Sequence, residues 1–306
     1  MSKDNILNHL IVIGGPTAVG KTEVALKLAV KYDCPILSAD SRQFYREMNI
    51  GTAKPSLDEL ELAQHYFINN LSIHDDYSVG KYEQETIELL SKIYQEKNIA
   101  ILVGGTGLYI KAVLEGIDDF PKVPVSIKSK YSKIFKTEGI KELQMQLLKS
   151  DPEYAAKVDM DNPHRLIRAL SVIESSGNSF SSYLVRKTVK RVFSPVKIAL
   201  TMERHLLYDR INKRVDLMIR NGLVEEVKSL NKYKHLNALN TVGYSEIFEH
   251  LDGNSFLSES IESIKQNTRR YAKRQSTWFR NQGEWEHIES SNIDKIEQFV
   301  EARLQS

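Results

Sequence analysis

Cysteine is almost missing from this chain, with Cys34 as its only example. One thiol excludes an intrachain disulfide and a cysteine-rich zinc site, and leaves Cys34 as a small buried side chain near the second strand. Long apolar runs are missing too. Nothing approaches the ~20 residues of a membrane-spanning helix, and the first apolar run, Leu10-Ile11-Val12-Ile13, is too short for a secretory leader. A cytoplasmic protein without membrane contact is expected. The sequence contains no internal repeat or low-complexity tract, and the chain as a whole has little charge of one sign, with a net of +2. That charge is unevenly spread. Residues 261–280 carry Lys265, Arg269, Arg270, Lys273, Arg274 and Arg280 against Glu262, a net of +5 that leaves −3 for the rest. By itself such a band is more often a solvated helix face than a polyanion-binding one.

What is present is a soluble composition, 41% apolar over 306 residues, enough for one large domain or a core with an insertion. Its most informative segment is Gly15-Pro16-Thr17-Ala18-Val19-Gly20-Lys21-Thr22, which fits the P-loop pattern at every fixed position and follows an apolar strand run. Small residues there let several backbone N–H groups converge on one anion, and the helix that follows adds its positive dipole end. Lys21 supplies a point charge and Thr22 a hydroxyl suited to magnesium. The segment predicts a phosphate-chain site without saying which compound fills it.

Strand and helix patterns then alternate. Leu10–Gly14 reads as a strand, Gly20–Tyr32 as a helix and Pro35–Ala39 as a second strand ending at Asp40. Tyr82, Thr86, Leu89, Leu90 and Ile93 keep a helical period, and Ile99–Val103 reads as a buried strand. Alternation of this kind implies an α/β fold with a parallel sheet, whose ligand loops gather at the carboxyl ends of the strands. Two further loops fall on that edge. In Ser38-Ala39-Asp40-Ser41-Arg42-Gln43 a carboxylate ends the second strand, where it could serve the P-loop site or simply cap a helix. In Gly104-Gly105-Thr106-Gly107 glycines permit close backbone approach, and Thr106 could cap a helix or touch a ligand.

Beyond Gly116 the character changes. A turn-rich passage, 118–124, opens a mainly helical stretch with helix starts at Asp151-Pro152 and Asn162-Pro163. Ser175–Ser179 reads as a mobile loop. Strand character returns over 196–201, and the remainder is helical, punctuated by Gly222, Gly243 and Gly253. The expected division is a first part of the P-loop core over 1–120, a helical insertion over 121–192, and a core continuation over 193–306 with a basic C-terminal helix.

Taken in order, GPTAVGKT, SADSRQFY, VGGTGLYIKAVLEG, NPHRLIRAL, VGYSE and TRRYAKRQSTWFR resemble the successive signatures of the bacterial-type tRNA dimethylallyltransferases, from about Val12 to Arg280. The resemblance implies a nucleotide-kinase-like P-loop core with a helical insertion. It implies transfer of a dimethylallyl group from dimethylallyl diphosphate to the exocyclic amine of the adenine just 3′ of the anticodon (position 37), with pyrophosphate released. Asp40 matches the family's general base. Charge leaving with the diphosphate would fall to the P-loop amides, Lys21, magnesium on Thr22, and Arg210 and Arg214, which lie one helical turn apart. By the same resemblance Asp40, Ser41, Arg42, Gln43, Thr106, Lys128, His164, Arg165, Leu166, Ile167 and Arg168 contact the anticodon stem-loop of tRNA. Arg269, Lys273 and Arg280, with Arg270 and Arg274, would follow its phosphate backbone, whereas Tyr271, Trp278 and Phe279 are expected to be core. The chain departs from the family pattern at Pro124, Lys128, His164, Ser171 and His65-Tyr66. A monomer is expected. The alternatives are an adenylate isopentenyltransferase acting on free nucleotide, which has no use for a basic helix, and a small-molecule P-loop kinase, which shares only the first motifs.

Overall fold

The computed structural model describes residues 7–185 and 189–305. Six strands lie within them: β1 (His9–Gly14), β2 (Ile36–Ser38), β3 (His65–Tyr66), β4 (Ile99–Val103), β5 (Ser194–Thr201) and β6 (Glu286–Glu289). They form one sheet in the order β3-β2-β4-β1-β5-β6, with every pairing parallel. Helix α1 (Lys21–Tyr32) joins β1 to β2, α2 (Leu57–Leu62) precedes β3, α3 (Val79–Ile93) leads to β4 and α4 (Gly107–Glu115) follows it. Between β5 and β6 run α9 (Arg204–Arg220), α10 (Leu223–Ser229), α11 (Tyr244–Leu251) and α12 (Leu257–Asn281), and α13 (Ile293–Leu304) follows β6.

The central strand explains the architecture. All six residues of β1 are buried, because helices cover both faces of a parallel sheet and each face needs its own apolar set. Leu10 and Val12 join Leu37, Tyr82, Leu90, Ile110 and Phe279 on one side. Ile11 and Ile13 join Val24, Leu28, Ile198 and Val300 on the other. Since β1 pairs with β4 and β5, the loop after it opens mid-edge, beside the loops that follow β2 and β4.

Residues up to Leu114 together with those from Lys190 form one compact unit, and Glu115–Val189 a second. The second contains α5 (Val125–Glu138), α6 (Ile140–Ser150), α7 (Pro152–Ala155) and α8 (Pro163–Ser176), around a core of Leu143, Leu147, Leu166, Leu170, Val172 and Phe180. Asp151 and Asn162 start α7 and α8 as the sequence predicts, each accepting a backbone N–H and each followed by proline. Ser175 and Ser176 are not in a free loop: they end α8, and Gly177 caps it in the left-handed region. Cys34 is buried, and burial pushes its thiol up to about 12.

Sequence reading misses β3 and β6. The first is two residues long, and the second is polar in three of its four positions with only Ile288 buried, so neither carries an apolar strand signal.

Helix α12 meets the sheet edge at glycines. A Cβ on Gly14 would lie 2.2 Å from the Phe279 ring, and one on Gly107 2.3 Å from the Trp278 ring. The Phe279 ring cannot swing away, since it is 2% exposed and packs edge-on against Trp278 and Trp285. Gly14→Ala should therefore lower stability by about 1–3 kcal/mol through overpacking. Phe279→Leu in the Gly14→Ala background should recover part of the loss. Urea unfolding midpoints of the three proteins check both expectations.

Candidate active site

The P-loop geometry follows from its residue types. Gly15 (φ 142°) and Gly20 (φ 107°) adopt backbone conformations closed to most side chains. Gly15 is also crowded, because a Cβ there would sit 2.8 Å from the Leu200 carbonyl oxygen. Ala18 shares the positive-φ region (68°), a strained choice for a residue with a Cβ and the kind of strain that collects at ligand loops. Lys21 Nζ folds back to donate to the carbonyls of Gly15 at 3.1 Å and Pro16 at 2.7 Å.

Positive charge collects here. Burial lowers the Lys21 pKa to about 8, with Arg214 pushing the same way and Asp40 opposing. Burial likewise lowers the Arg214 pKa, aided by the charge of Arg210 one turn earlier. Arg214 Nη2 donates to Thr17 Oγ1 at 2.6 Å, while its Nε is buried without a partner among the described residues. The Arg210 guanidinium lies 3.9 Å from where a Cβ on Gly20 would stand. A concave loop lined by cations that repel one another favours an anion between them.

The second strand end faces the same space. Asp40 is no helix cap: its Oδ1 accepts the Arg42 backbone N–H at 2.9 Å in a local turn. Nor does Thr106 cap α4 with its side chain, because its Oγ1 accepts the Ser41 N–H at 3.3 Å and shares a hydrogen bond with the Tyr271 phenol. Burial pushes that phenol up to about 12, and the Asp40 charge adds to the shift. Thr17, Asp40, Ser41, Arg42, Arg214 and Tyr271 line one open cavity of about 380 Å³. Phosphate-side and carboxylate-side groups thus meet in a single chamber.

Its far wall is Gly51–Ala53 and Asn240–Gly243. Glu226 on α10 holds the first of these by accepting the N–H groups of Asn49, Ile50 and Gly51 at 3.0, 2.8 and 3.1 Å. Its carboxylate also accepts the Tyr244 hydroxyl at 2.5 Å. Charge-assisted bonds of this kind are the strong ones. Gly51 must be glycine for this wall, since a Cβ would lie 2.4 Å from the Tyr244 ring.

Several residues named from sequence are placed differently from a ligand contact. Gln43 donates to the Thr52 and Ala53 carbonyls and accepts from Ser38, so its amide braces the wall. Arg42 donates to the carbonyls of Asn237 and Asn240 while lining the cavity. Leu166 and Ile167 are buried in the core of the second unit. Apolar side chains at those positions of an amphipathic helix must pack, which leaves His164, Arg165 and Arg168 exposed. Arg168 lies over the Phe120 ring, and Lys128 is exposed on α5. Arg269 donates to Asn212 Oδ1 at 2.7 Å and stacks over Tyr208. Lys273 and Arg280 are exposed and form no ion pair among the described residues. Tyr271 lines the cavity instead of the core, while Trp278 and Phe279 pack as expected.

Two polar residues escaped sequence reading, Glu226 and Gln275. Gln275 is 6% exposed on α12 and bridges Thr17 to Gly105. The backbone N–H partners of Glu226 lie 175 or more residues away and the partners of Gln275 170 or more; the one available signal is a glutamine on the buried face of an amphipathic helix.

The model of one family, IPP transferase, matches residues 43–282. A tRNA dimethylallyltransferase of Christiangramia forsetii is 50% identical over 298 residues, covering 97% of this chain and 99% of that one. The tRNA dimethylallyltransferase 1 of Bacteroides thetaiotaomicron is 44% identical, covering 92% of each. Among solved structures, the full-length tRNA isopentenylpyrophosphate transferase of Bacillus halodurans superposes with a TM-score of 0.71 at 35% identity, covering 97% of both chains. A eukaryotic dimethylallyltransferase acting on tRNA superposes with a TM-score of 0.78 at 25% identity, over 97% of this chain and 77% of that one. The P-loop and Asp40 precede the span of the family model, but the relatives align over nearly the whole chain. With the chamber between them, the chain belongs to the IPP transferase family.

Proposed function

We propose that this protein transfers a dimethylallyl group from dimethylallyl diphosphate to the exocyclic N6 amine of the adenine 3′ to the anticodon in tRNA, releasing pyrophosphate. The observation that carries the reading is the shared chamber, in which Thr17 and Arg214 lie on one side and Asp40 on another. A prenyl transfer needs that pairing. The bond between the allylic carbon and the diphosphate oxygen breaks, the N6–carbon bond forms, and N6 sheds a proton. Lys21, Arg210, Arg214 and the P-loop amides would take up the charge of the departing diphosphate. Asp40 would accept the proton, since the adenine amine, its lone pair delocalised into the ring, is a weak nucleophile. The base must leave its stack to enter the chamber.

Magnesium would be held through the hydroxyl of Thr22, which is partly exposed at the start of α1. No cluster of three metal-ligating side chains occurs among the described residues, so the ion would rest on the Thr22 hydroxyl, diphosphate oxygens and water, its usual company. When bound it would neutralise diphosphate charge. The tRNA backbone would run along Lys273 and Arg280, with Arg269 beside them, and Arg165, Arg168 and Lys128 would offer further cations on the insertion, with the exposed His164 next to Arg165. No helix among the described residues is long and apolar enough to cross a membrane. The proposed setting is the cytoplasm, and the proposed acting unit a single chain, since every group invoked belongs to one copy.

Two substitutions divide the chemistry. Asp40→Asn should cut turnover by about 10²–10⁴ while leaving pyrophosphate binding nearly intact. Lys21→Ala should weaken pyrophosphate binding and slow transfer by about 10²-fold. Steady-state kinetics with calorimetric pyrophosphate titrations check both. Turnover of Asp40→Asn within about threefold of wild type would remove Asp40 from the base role, and stoichiometric ADP formation from added ATP would restore the kinase reading.

A third variant tests the basic helix. Replacing Arg269, Lys273 and Arg280 with alanine should weaken tRNA binding and make its salt slope shallower by about two to three units. Transfer at saturating tRNA should fall much less, because these groups position the backbone and do not act on the amine. An unchanged slope in the folded variant would mean that this face is solvated and that tRNA is held elsewhere.

A further inference from the structure

Gln275 has the connections of a strut. Its Oε1 accepts the Thr17 backbone N–H at 2.8 Å, and its Nε2 donates to the Gly105 carbonyl at 2.9 Å. Thr17 belongs to the P-loop and its hydroxyl carries Arg214. Gly105 precedes Thr106, whose hydroxyl holds the Ser41 N–H beside Asp40. One amide thus spans the leaving-group side and the proton-acceptor side of the chamber. The fit leaves no slack: a Cβ on Gly105 would lie 2.1 Å from Gln275 Nε2, and Gln275 itself is 6% exposed on a helix packed against both loops. The bond also commits the Thr17 N–H to the protein, although small-residue loops of this kind usually turn such groups toward the anion.

We propose that Gln275 is a positioning residue, which sets the spacing between the diphosphate loop and the Asp40 loop and thereby the alignment of donor carbon and acceptor nitrogen. The proposal rests on the transferase reading. It makes no contact with substrate necessary. Its logic is that group transfer requires near-attack geometry, where a displacement of 1 Å can cost about 10²-fold in rate.

Gln275→Met keeps length and bulk but removes both hydrogen bonds. Gln275→Asn keeps both polar groups but is one methylene short of spanning the gap. Wild-type transfer of labelled dimethylallyl groups to tRNA is the control: its absence would defeat the transferase reading, and only in its presence do the variants speak to Gln275. Both variants should lose about 10²-fold in kcat, with KM for donor and for tRNA within about threefold of wild type and melting cooperative. A packing role predicts instead that Gln275→Met stays close to wild type and that only the shorter Gln275→Asn is impaired. A kcat within about threefold for either folded variant overturns the proposal.

A measurement on the unaltered protein covers the case in which neither variant folds. The Thr17 amide, followed by hydrogen exchange in NMR, should be strongly protected both without ligand and with pyrophosphate bound. Exchange at the rate of an open loop, or loss of protection when pyrophosphate binds, overturns it.

Discussion

The site depends on how one helix seats itself on three glycines. Gln275, Trp278 and Phe279 of α12 fill the space where side chains on Gly105, Gly107 and Gly14 would stand. These glycines belong to the loop after β4, the start of α4 and the end of β1, so a single apolar and hydrogen-bonded contact fixes the strand-end loops against each other. Burying Trp278 and Phe279 supplies the driving force, since aromatic side chains carry the largest apolar areas. The buried amide of Gln275 gives the contact a register, because it is satisfied only where Thr17 and Gly105 both lie within reach. The opposite face of α12 carries the exposed cations Lys273 and Arg280. One helix therefore holds the chamber together and presents the basic band.

Around that contact the chamber stores electrostatic tension. Burial lowers the pKa of both Lys21 and Arg214, with the Arg214 charge adding to the shift at Lys21 and the Arg210 charge to that at Arg214, and neither forms an ion pair with a carboxylate among the described residues. Removing charge from water without pairing it is costly, and Asp40 offsets the cost only in part. An arriving diphosphate would relieve it. The far wall is built on the opposite principle: Glu226 is surrounded by three backbone N–H donors and a tyrosine hydroxyl, so its charge is already satisfied and the wall can be rigid. Lys54 does similar work beside it, its ammonium donating to Tyr45, Asn49 and Asn69 oxygens while burial lowers its pKa to about 8.

Much of this was legible in sequence because it is local. The strand, glycine loop and helix of the P-loop are contiguous, the caps at Asp151 and Asn162 are one-residue signals, and β4 was predicted with the bounds that the structure has. What escaped is non-local or weakly apolar. Strand β6 pairs with β5 through Ile198 opposite Glu286 and Leu200 opposite Ile288, a partnership invisible in a four-residue polar stretch. Tyr271 reads as core because it is an aromatic residue on an amphipathic helix, yet it lines the cavity, which puts its phenol beside Thr106 and the Asp40 charge. Leu166 and Ile167 are expected contacts only because the resemblance carries over the whole segment from His164 to Arg168, and the helical period turns their side chains inward. Glu226 and Gln275 show the general limit: their partners are chosen by topology, and no spacing rule encodes a bond across 170 residues.

The central claim is that a P-loop here holds a leaving diphosphate opposite a base for an RNA amine, and does not serve a phosphoryl donor. The most direct measurement supplies the protein with dimethylallyl diphosphate labelled in its carbon chain, with unmodified tRNA, AMP or no acceptor, and follows both the label and pyrophosphate. The account predicts label on the N6 of one adenine beside the anticodon, one pyrophosphate released per transfer, and no product with AMP or without acceptor. Label on AMP, or pyrophosphate release that does not depend on tRNA, would contradict it.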